Sequence, residues 1–423
     1  MIKYTHMRYV ADLHIHSRFA RACSKELTLE NIDKYCATKG VHIVATGDYT
    51  HPQWFREMKN TLVEKEPGLY ICKNSKYETR FICSVEISCI YSKGGKVRRL
   101  HIVVLAPSIE IVEKINKDLS KVGKLASDGR PILGLDAKKL AEIIFNIDPT
   151  CMVIPAHAWT PWFAVFGSKS GFDSLQECFE ELTPKIYSIE TGLSSDPPMN
   201  WRLSGLDSIT LISNSDAHSL PNIAREANVF DIDPKILSYA EIVDIIKTGD
   251  RKRFLFTIEF YPEEGIYHWD GHRDCKVSFP PLKTKDLHGQ CPVCKKPLTI
   301  GVLNRIETLA DRSEDYVREG AIGFRKLVEL DKIIAESLDI KSRSSKKVQI
   351  EYNAILQKGK TELEVLLDAS YEELGSLASP EIVEGIRRVR EGKLHITPGF
   401  DGQYGEVHIF SENEKKSRQK SLF

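Results

Sequence analysis

Through roughly its first 260 residues the chain alternates short apolar runs, rich in β-branched residues, with stretches of helical periodicity. That alternation restricts it to βα repeats arranged around a parallel sheet. The apolar runs are "VHIVATG", "CMVIPAH", "KIYSIETG", "ITLISNSDAH" and "RKRFLFTIEF". Ahead of the first of them, "TLENIDKYCATKG" supplies Thr28 as an N-cap, apolar positions at Leu29, Ile32, Tyr35 and Cys36, and Gly40 as the stop of a helix. The segments "RFICSVEISCIY" and "KVRRLHIVVLAP", joined through Gly94 and Gly95, read instead as a hairpin or adjacent strands. With roughly seven strands, an imperfect barrel is expected rather than an open sheet.

The texture changes after Phe260. The stretch "YPEEGIYHWDGHRDCKVSFPPLKTKDLHGQCPVCKKPL" lacks long apolar runs and is rich in turn formers, which suits a small module held by something other than a core. From about residue 301 the pattern turns helical, with apolar residues of "AIGFRKLVELDKIIAESL" spaced by three and four. The expected organisation is therefore a first domain over 1–260, a small module over 261–300, a mainly helical region over 301–410 and a polar, disordered tail over 411–423.

Charge sets few limits: 59 basic and 59 acidic residues cancel, so an anionic partner must be met by a local patch rather than by a global field. No signal-peptide pattern opens the chain and no apolar run is long enough to span a bilayer, so a cytoplasmic protein without membrane association is expected. In that setting the ten cysteines read as free thiols or metal ligands rather than as a disulfide framework.

Metal-capable residues recur where the apolar runs end. In "ADLHIH", His14 and His16 lie two apart in an extended segment, which places both imidazoles on one side and lets them grip one ion. Asp48 follows "VHIVATG", Glu86 lies within "ICSVEIS", His101 opens "LHIVVL", His157 follows "CMVIPA", and Asp216 with His218 ends "ITLISNS". Barrels of the βα type build their sites where such loops converge. Clustered divalent ions would lower the pKa of a shared water and neutralise a phosphate, which points to phosphoester hydrolysis. Arg225, in "LPNIAREANVF", is a candidate for steadying that phosphate, with a surface salt bridge as the alternative.

"DLHIH", Glu86, His157 and "NSDAH", in this order, resemble the motifs of the polymerase-and-histidinol-phosphatase (PHP) superfamily. The resemblance implies a distorted (βα)7 barrel that binds two or three Zn, Mn or Fe ions. It assigns one ion to His14, His16, Glu86 and Asp216, and a second to His101, His157 and a bridging Glu86. A third would use Asp48 and His218. The further histidine that the family often places after its HxH is missing from "SRFARACSK", which leaves Cys23 or water to complete that site. Imidazole and carboxylate ligands do not choose among Zn2+, Mn2+ and Mg2+.

A second constellation is His272-x2-Cys275 followed, fifteen residues later, by Cys291-x2-Cys294, the format of a tetrahedral structural Zn2+ site. Cys275, Cys291 and Cys294 are the expected ligands, with the fourth open between His272, His268 and His288. This module, with "FYPEEGIYHWDGHRDC" leading in and "LTIGVLNRIETLADR" leading out, makes the chain similar to the endonuclease Q family of DNA-repair nucleases from Met7 to about Phe410. The similarity implies metal-dependent cleavage on the 5′ side of deaminated bases (uracil, hypoxanthine, xanthine) and at abasic sites, with double- or single-stranded DNA as the partner and a sliding clamp as a further one. A base can be inspected only outside the stack. In "HAWTPWFAVFGSKSGFDS", Trp159, Trp162, Phe163 and Phe166 offer rings for stacking, and Gly167, Ser168 and Lys169 a turn for phosphate. The alternative is that these rings pack the barrel rim. Arg18 and Arg21 are further candidate phosphate contacts. Two other functions compete: a small-molecule phosphoesterase resembling histidinol phosphatase, for which the last 160 residues would be superfluous, and a non-catalytic DNA-binding module.

Overall fold

The structure is a computed structural model that describes residues 7–411 and Glu414; the rest of the expected polar tail lies outside the described residues. Its main sheet contains β1 (Met7–Asp12), β2 (Ile43–Ala45), β3 (Leu62–Glu66), β4 (Leu69–Cys72), β5 (Arg80–Lys93), β6 (Lys96–Ala106), β7 (Ile132–Leu133) and β8 (Met152–Pro155). After β9 (Ser188–Glu190) and β10 (Thr210–Ile212), which pair with each other, β11 (Ala227–Ile232) and β12 (Phe254–Glu259) rejoin it. The order is β12-β11-β1-β2-β5-β4-β3, with β6 on β5 and β8 on β6.

The sheet is mixed, which departs from the parallel arrangement expected of βα repeats. Helical crossovers do give parallel neighbours, as in β1–β2, β2–β5 and β9–β10. Direct reversals give antiparallel ones, since a short turn cannot return the chain in the same direction. Gly94 and Gly95 both have positive φ, 62° and 72°, so the turn between β5 and β6 takes the two-residue form that matches strand twist. From Tyr9 and from Leu100 onward, strands β1 and β6 are buried on both faces. Tyr9 and Ala11 join one apolar cluster and Val10 another, as do Val103 and Leu105 against Ile102 and Val104.

The helix Leu29–Lys39 forms as its sequence suggests. Thr28 caps the Asn31 N–H, Gly40 ends it at φ 86°, and Leu29, Ile32 and Cys36 are buried. Its last residue ties two regions together: Lys39 Nζ donates to the carbonyls of Pro221 and Ile223 at 2.7 and 2.8 Å.

The chain beyond 301 differs from expectation in its first part. Residues 323–326 form not helix but β15, which follows the short hairpin β13 (Asp270–His272) and β14 (Val277–Phe279) and pairs in parallel with the open edge of β12. Gly323 weakens helix there, and an unpaired edge is a stronger attraction than a short amphipathic pattern. A helix does form at Val302–Leu309, as expected, and after β15 helix resumes at Leu330. That helix packs on Lys346–Leu356 and Pro380–Arg390, and Glu362–Leu367 and Tyr371–Leu377 pack on Pro380–Arg390 in turn, with Ile333, Val348, Leu366, Leu374 and Ile386 in their shared core. The hairpin of β16 (His395–Thr397) and β17 (Glu406–His408) then returns to the small module, where the Trp269 N–H donates to Gly399 O at 2.9 Å. No helix among the described residues is long and apolar enough to cross a membrane.

Two glutamates lie fully buried beside each other, Glu226 just before β11 and Glu259 at the end of β12. Burial, then the charge of Glu259, pushes Glu226 well above the ordinary carboxyl range, and burial pushes Glu259 up to about 8. The native state thus holds protons that the unfolded chain has already lost, so this stabilisation is complete below about pH 4.5 and disappears as pH rises through about 8. Glu226→Gln should flatten the decline of stability from pH 5 to 8 and stabilise the protein by roughly 1–3 kcal/mol at the upper end. Thermal melts across that range check it; unchanged slopes would count against a buried proton at this pair.

Candidate metal centre

His14 and His16 follow β1, and their rings sit side by side with centroids 5.4 Å apart. Each is oriented from behind. His14 Nδ1 lies 3.1 Å from both Glu190 oxygens, and His16 Nδ1 lies 2.9 Å from Asp48 Oδ1. An ionised carboxylate only accepts, so in the neutral, metal-ligating form of each imidazole the proton resides on Nδ1 and Nε2 is left to face forward as the ligand atom. His14 Nε2, His16 Nε2 and Asp216 Oδ1 are buried with no hydrogen-bond partner among the described residues. His16 Nε2 is 3.0 Å from Asp216 Oδ1 and 3.2 Å from Glu86 Oε2. These ligand atoms lie close enough to share one ion, and the donor set of two imidazoles and two carboxylates fits a divalent metal.

Glu86 also serves a second group. Its Oε1 lies 2.7 Å from His101 Nδ1 and 3.1 Å from His157 Nε2. Glu86 and His101 are not at strand ends as the sequence suggested; they lie within the long β5–β6 hairpin, where Glu86 opposes Val103 and Ser88 opposes His101. The two therefore sit on one face as diagonal neighbours. Burial opposes ionisation of Glu86, but the surrounding imidazoles prevail and hold it well below the ordinary range. Burial likewise disfavours charge on His14, yet Glu190 and Glu86 raise it well above the usual histidine value, whereas burial lowers His101 to about 4. Asp48, His157 and Asp216 all adopt positive φ, 48°, 28° and 47°. Such strain at non-glycine residues gathers where a side chain must be aimed.

Glu190, Asn214 and Arg130 are missed by the sequence reading. Glu190 ends β9, so the strand-end rule that singled out the other acids would have found it; it also accepts from the His157 N–H at 3.1 Å and from Asn214 Nδ2 at 2.8 Å. Arg130, on the loop before β7, places Nη1 3.0 Å from Glu86 Oε2, and no local pattern marks it. Glu190→Gln, which keeps the shape but weakens the hold on His14, should lower metal affinity by about 10–100-fold with little loss of stability. Calorimetric titration with Mn2+ tests this, and unaltered affinity would remove the orienting role.

The expected third ion has no ligand group among the described residues. Asp48 faces the back of His16, and its other oxygen accepts the Ser17 N–H at 2.6 Å. His218 stands at the mouth, partly exposed, with Nδ1 donating to Asp216 O at 2.8 Å. Cys23 joins no ligand group, and burial pushes its thiol up to about 12. Arg225 does not reach the centre; Nε and Nη2 both donate to Ser215 O at 3.0 Å, bracing the turn that presents Asp216. Arg18 and Arg21 are exposed, and Arg18 pairs with Glu57 at 2.7 Å.

Of the aromatic loop, Trp159 and Phe166 are core residues, packed with centroids 4.8 Å apart. Phe163 packs on His101, centroid to centroid 4.6 Å, and its carbonyl accepts the His101 N–H, so it backs a metal-capable side chain. Trp162 is half-buried, edge-on to Tyr267; Ser168 has a buried hydroxyl and Lys169 is exposed.

Some distance along the chain, His272, Cys275, Cys291 and Cys294 bring their ligand atoms within 4.8 Å of one another. His272 is thereby the fourth member, and neither His268 nor His288 joins. The 3.7 Å between Cys294 Sγ and His272 Nδ1 is close to the edge of a tetrahedron with Zn–S of about 2.3 Å and Zn–N of about 2.0 Å.

A mixed α/β scaffold that gathers two imidazole–carboxylate groups around one shared glutamate defines a hydrolase of the divalent-metal class. The comparisons make this specific. Residues 329–393 match the model of the MJ0043 C-terminal domain. The sequence is 29% identical over 253 residues to the uncharacterized protein MJ0043 of Methanocaldococcus jannaschii, a match covering 59% of this chain and 31% of that protein. The fold superposes on the lesion-specific endonuclease PfuEndoQ of Pyrococcus furiosus with a TM-score of 0.84 and 29% identity, covering 98% of each chain. It superposes equally, TM-score 0.84 and 30% identity over 97% of this chain and 98% of the other, on endonuclease Q in complex with a 27-mer duplex substrate bearing an abasic lesion at the active site. The chain belongs to the endonuclease Q family. It is an endonuclease.

Proposed function

We propose that this endonuclease hydrolyses a phosphodiester of damaged DNA, at abasic sites and on the 5′ side of deaminated bases, using the centre around Glu86. The observation that carries the reading is the convergence of partnerless His14, His16 and Asp216 atoms on a glutamate that also meets His101 and His157. Its support in DNA comes from the family member crystallised on a duplex with an abasic lesion. Divalent cations held by these side chains would activate water and neutralise the phosphate. Asp48 and Glu190 keep the two imidazoles in the forward-facing tautomer, and Arg225 steadies the turn that carries Asp216.

The same reading takes β1, β2, β5, β6, β8, β9 and β10 as a distorted seven-stranded PHP barrel. Its ladder is interrupted beside β9–β10, and the Ile15–Ala217 bridge supports closure on the β1 side. It assigns a structural Zn2+ to His272, Cys275, Cys291 and Cys294, and contact with duplex DNA to the region after 301. It takes Trp162, Ser168 and Lys169, on the loop after His157, as the candidate nucleotide contacts. A cytoplasmic location beside the chromosome goes with this substrate.

The test is a labelled duplex carrying one abasic site, uracil or hypoxanthine, incubated with the protein and Mg2+, Mn2+ or Zn2+, with product ends mapped. Metal-dependent nicking 5′ to the lesion, absent on undamaged duplex, is the expected result. Failure to bind or nick any duplex, together with release of phosphate from small monoesters, would favour the small-molecule phosphoesterase instead.

A further inference from the structure

The loop that carries Arg130 is held as firmly as the metal-capable side chains. Asp128 Oδ1 accepts the backbone N–H of Arg130 at 3.0 Å and of Arg21 at 3.2 Å. The Gly129 N–H donates to Phe19 O at 3.0 Å, and Ser88 N–H donates to Pro131 O at 3.0 Å. Gly129 runs so close to the centre that a Cβ on it would lie 2.5 Å from Asp48 Oδ2, the carboxylate that orients His16. Glycine is required by that approach. The guanidinium is thus positioned by the same residues that set the ligands.

Its surroundings are equally particular. Arg130 is three-quarters covered, with 23% of its side chain open at the mouth of the centre, and Nη1 lies 3.0 Å from Glu86 Oε2. That oxygen belongs to the carboxylate shared by both metal-ligand groups. Arg18 is paired with Glu57 and Arg225 with a backbone carbonyl, so Arg130 is the arginine placed directly at the shared carboxylate.

We propose that Arg130 is a catalytic residue that binds the scissile phosphate: its guanidinium is the counter-ion of Glu86 in the metal-free protein and turns to a non-bridging phosphate oxygen when cations and DNA occupy the centre. This rests on the nuclease reading above. Cations on Glu86 satisfy the carboxylate that holds Arg130, and the guanidinium, fixed at the mouth by its loop, then faces the incoming anion. Hydrolysis forms one P–O bond to the oxygen of water and breaks the P–O bond to the leaving sugar oxygen. The water loses a proton and the leaving oxygen gains one. Negative charge gathers on the non-bridging oxygens in between, and the paired N–H groups of an arginine meet such oxygens two at a time, as the single ammonium of lysine cannot.

Arg130→Ala and Arg130→Lys, compared with the wild type, separate the possibilities. Mn2+ titration of the DNA-free proteins should show the same number of ions, held as tightly as in wild type or more tightly, because a competitor for Glu86 is gone. Single-turnover cleavage at saturating abasic duplex and saturating Mn2+ should fall by about 100–1,000-fold in Arg130→Ala, with only partial recovery in Arg130→Lys. Added guanidinium salt should restore part of the Arg130→Ala rate and leave the wild type unchanged. Mn2+ affinity falling in step with cleavage would overturn the proposal and make Arg130 a positioning residue for Glu86, and cleavage within a few-fold of wild type would remove it altogether. A wild type that nicks no duplex would sink the nuclease reading itself, a result distinct from either.

Discussion

Glu86→Gln is expected to end DNA cleavage, by about 10³-fold or more, while the fold and most of the affinity for duplex DNA persist. Glu86 is the single side chain common to both ligand groups, with Oε2 toward His14, His16 and Asp216 and Oε1 toward His101 and His157. The amide keeps the volume, so β5 and β6 stay packed. It removes the negative charge both ions would share and offers one weak oxygen in place of two. Losing that anionic ligand should weaken Mn2+ binding, even though the imidazoles also lose the carboxylate that favours their protonated forms in the metal-free state. Single-turnover nicking, Mn2+ stoichiometry and circular dichroism on one preparation decide the matter. Near-full cleavage at saturating metal would exclude Glu86 as a shared ligand.

The second large effect is expected in the small module. Cys291→Ser should remove one zinc per chain and open the segment around residues 270–300 to protease, because that stretch has little apolar core of its own. Cys291 is fully buried; its N–H donates to Lys296 O at 2.8 Å and its carbonyl accepts from Lys295 at 2.9 Å, the tight turn a Cys-x2-Cys pair makes around an ion. Zinc binding in such modules supplies on the order of 10–16 kcal/mol that acts as folding free energy, so one lost thiolate is enough to unfold the segment. The ion should outlast mild chelation that strips the centre around Glu86, since a closed tetrahedral site keeps no exchangeable position for water. Unchanged zinc content in the serine variant, or loss of both metals at the same chelator concentration, would set these cysteines outside any structural site.

What the sequence determined by itself was largely local. Thr28 and Gly40 bound their helix because capping depends on neighbours a few residues away, and Gly94-Gly95 declares the β5–β6 turn for the same reason. The spacing of His14 and His16 on an extended segment, and of His272, Cys275, Cys291 and Cys294 in their turns, likewise survives into three dimensions: each set is brought together. Tertiary structure decided what depends on partners far along the chain. Residues 323–326 carry a helical pattern, yet the free edge of β12 draws them into the sheet as β15. Asp48, a candidate ligand by its position after a strand, is turned behind His16 and capped by the Ser17 N–H. Phe163 backs His101, and Arg225 is engaged by Ser215. Arg130, in a loop without any motif, reaches Glu86 because Gly129 allows that loop to lie against Asp48. Residue type and spacing state which atoms can bind a metal, but where a side chain points is set by packing and by hydrogen bonds to backbone many residues distant, which no short window of sequence contains.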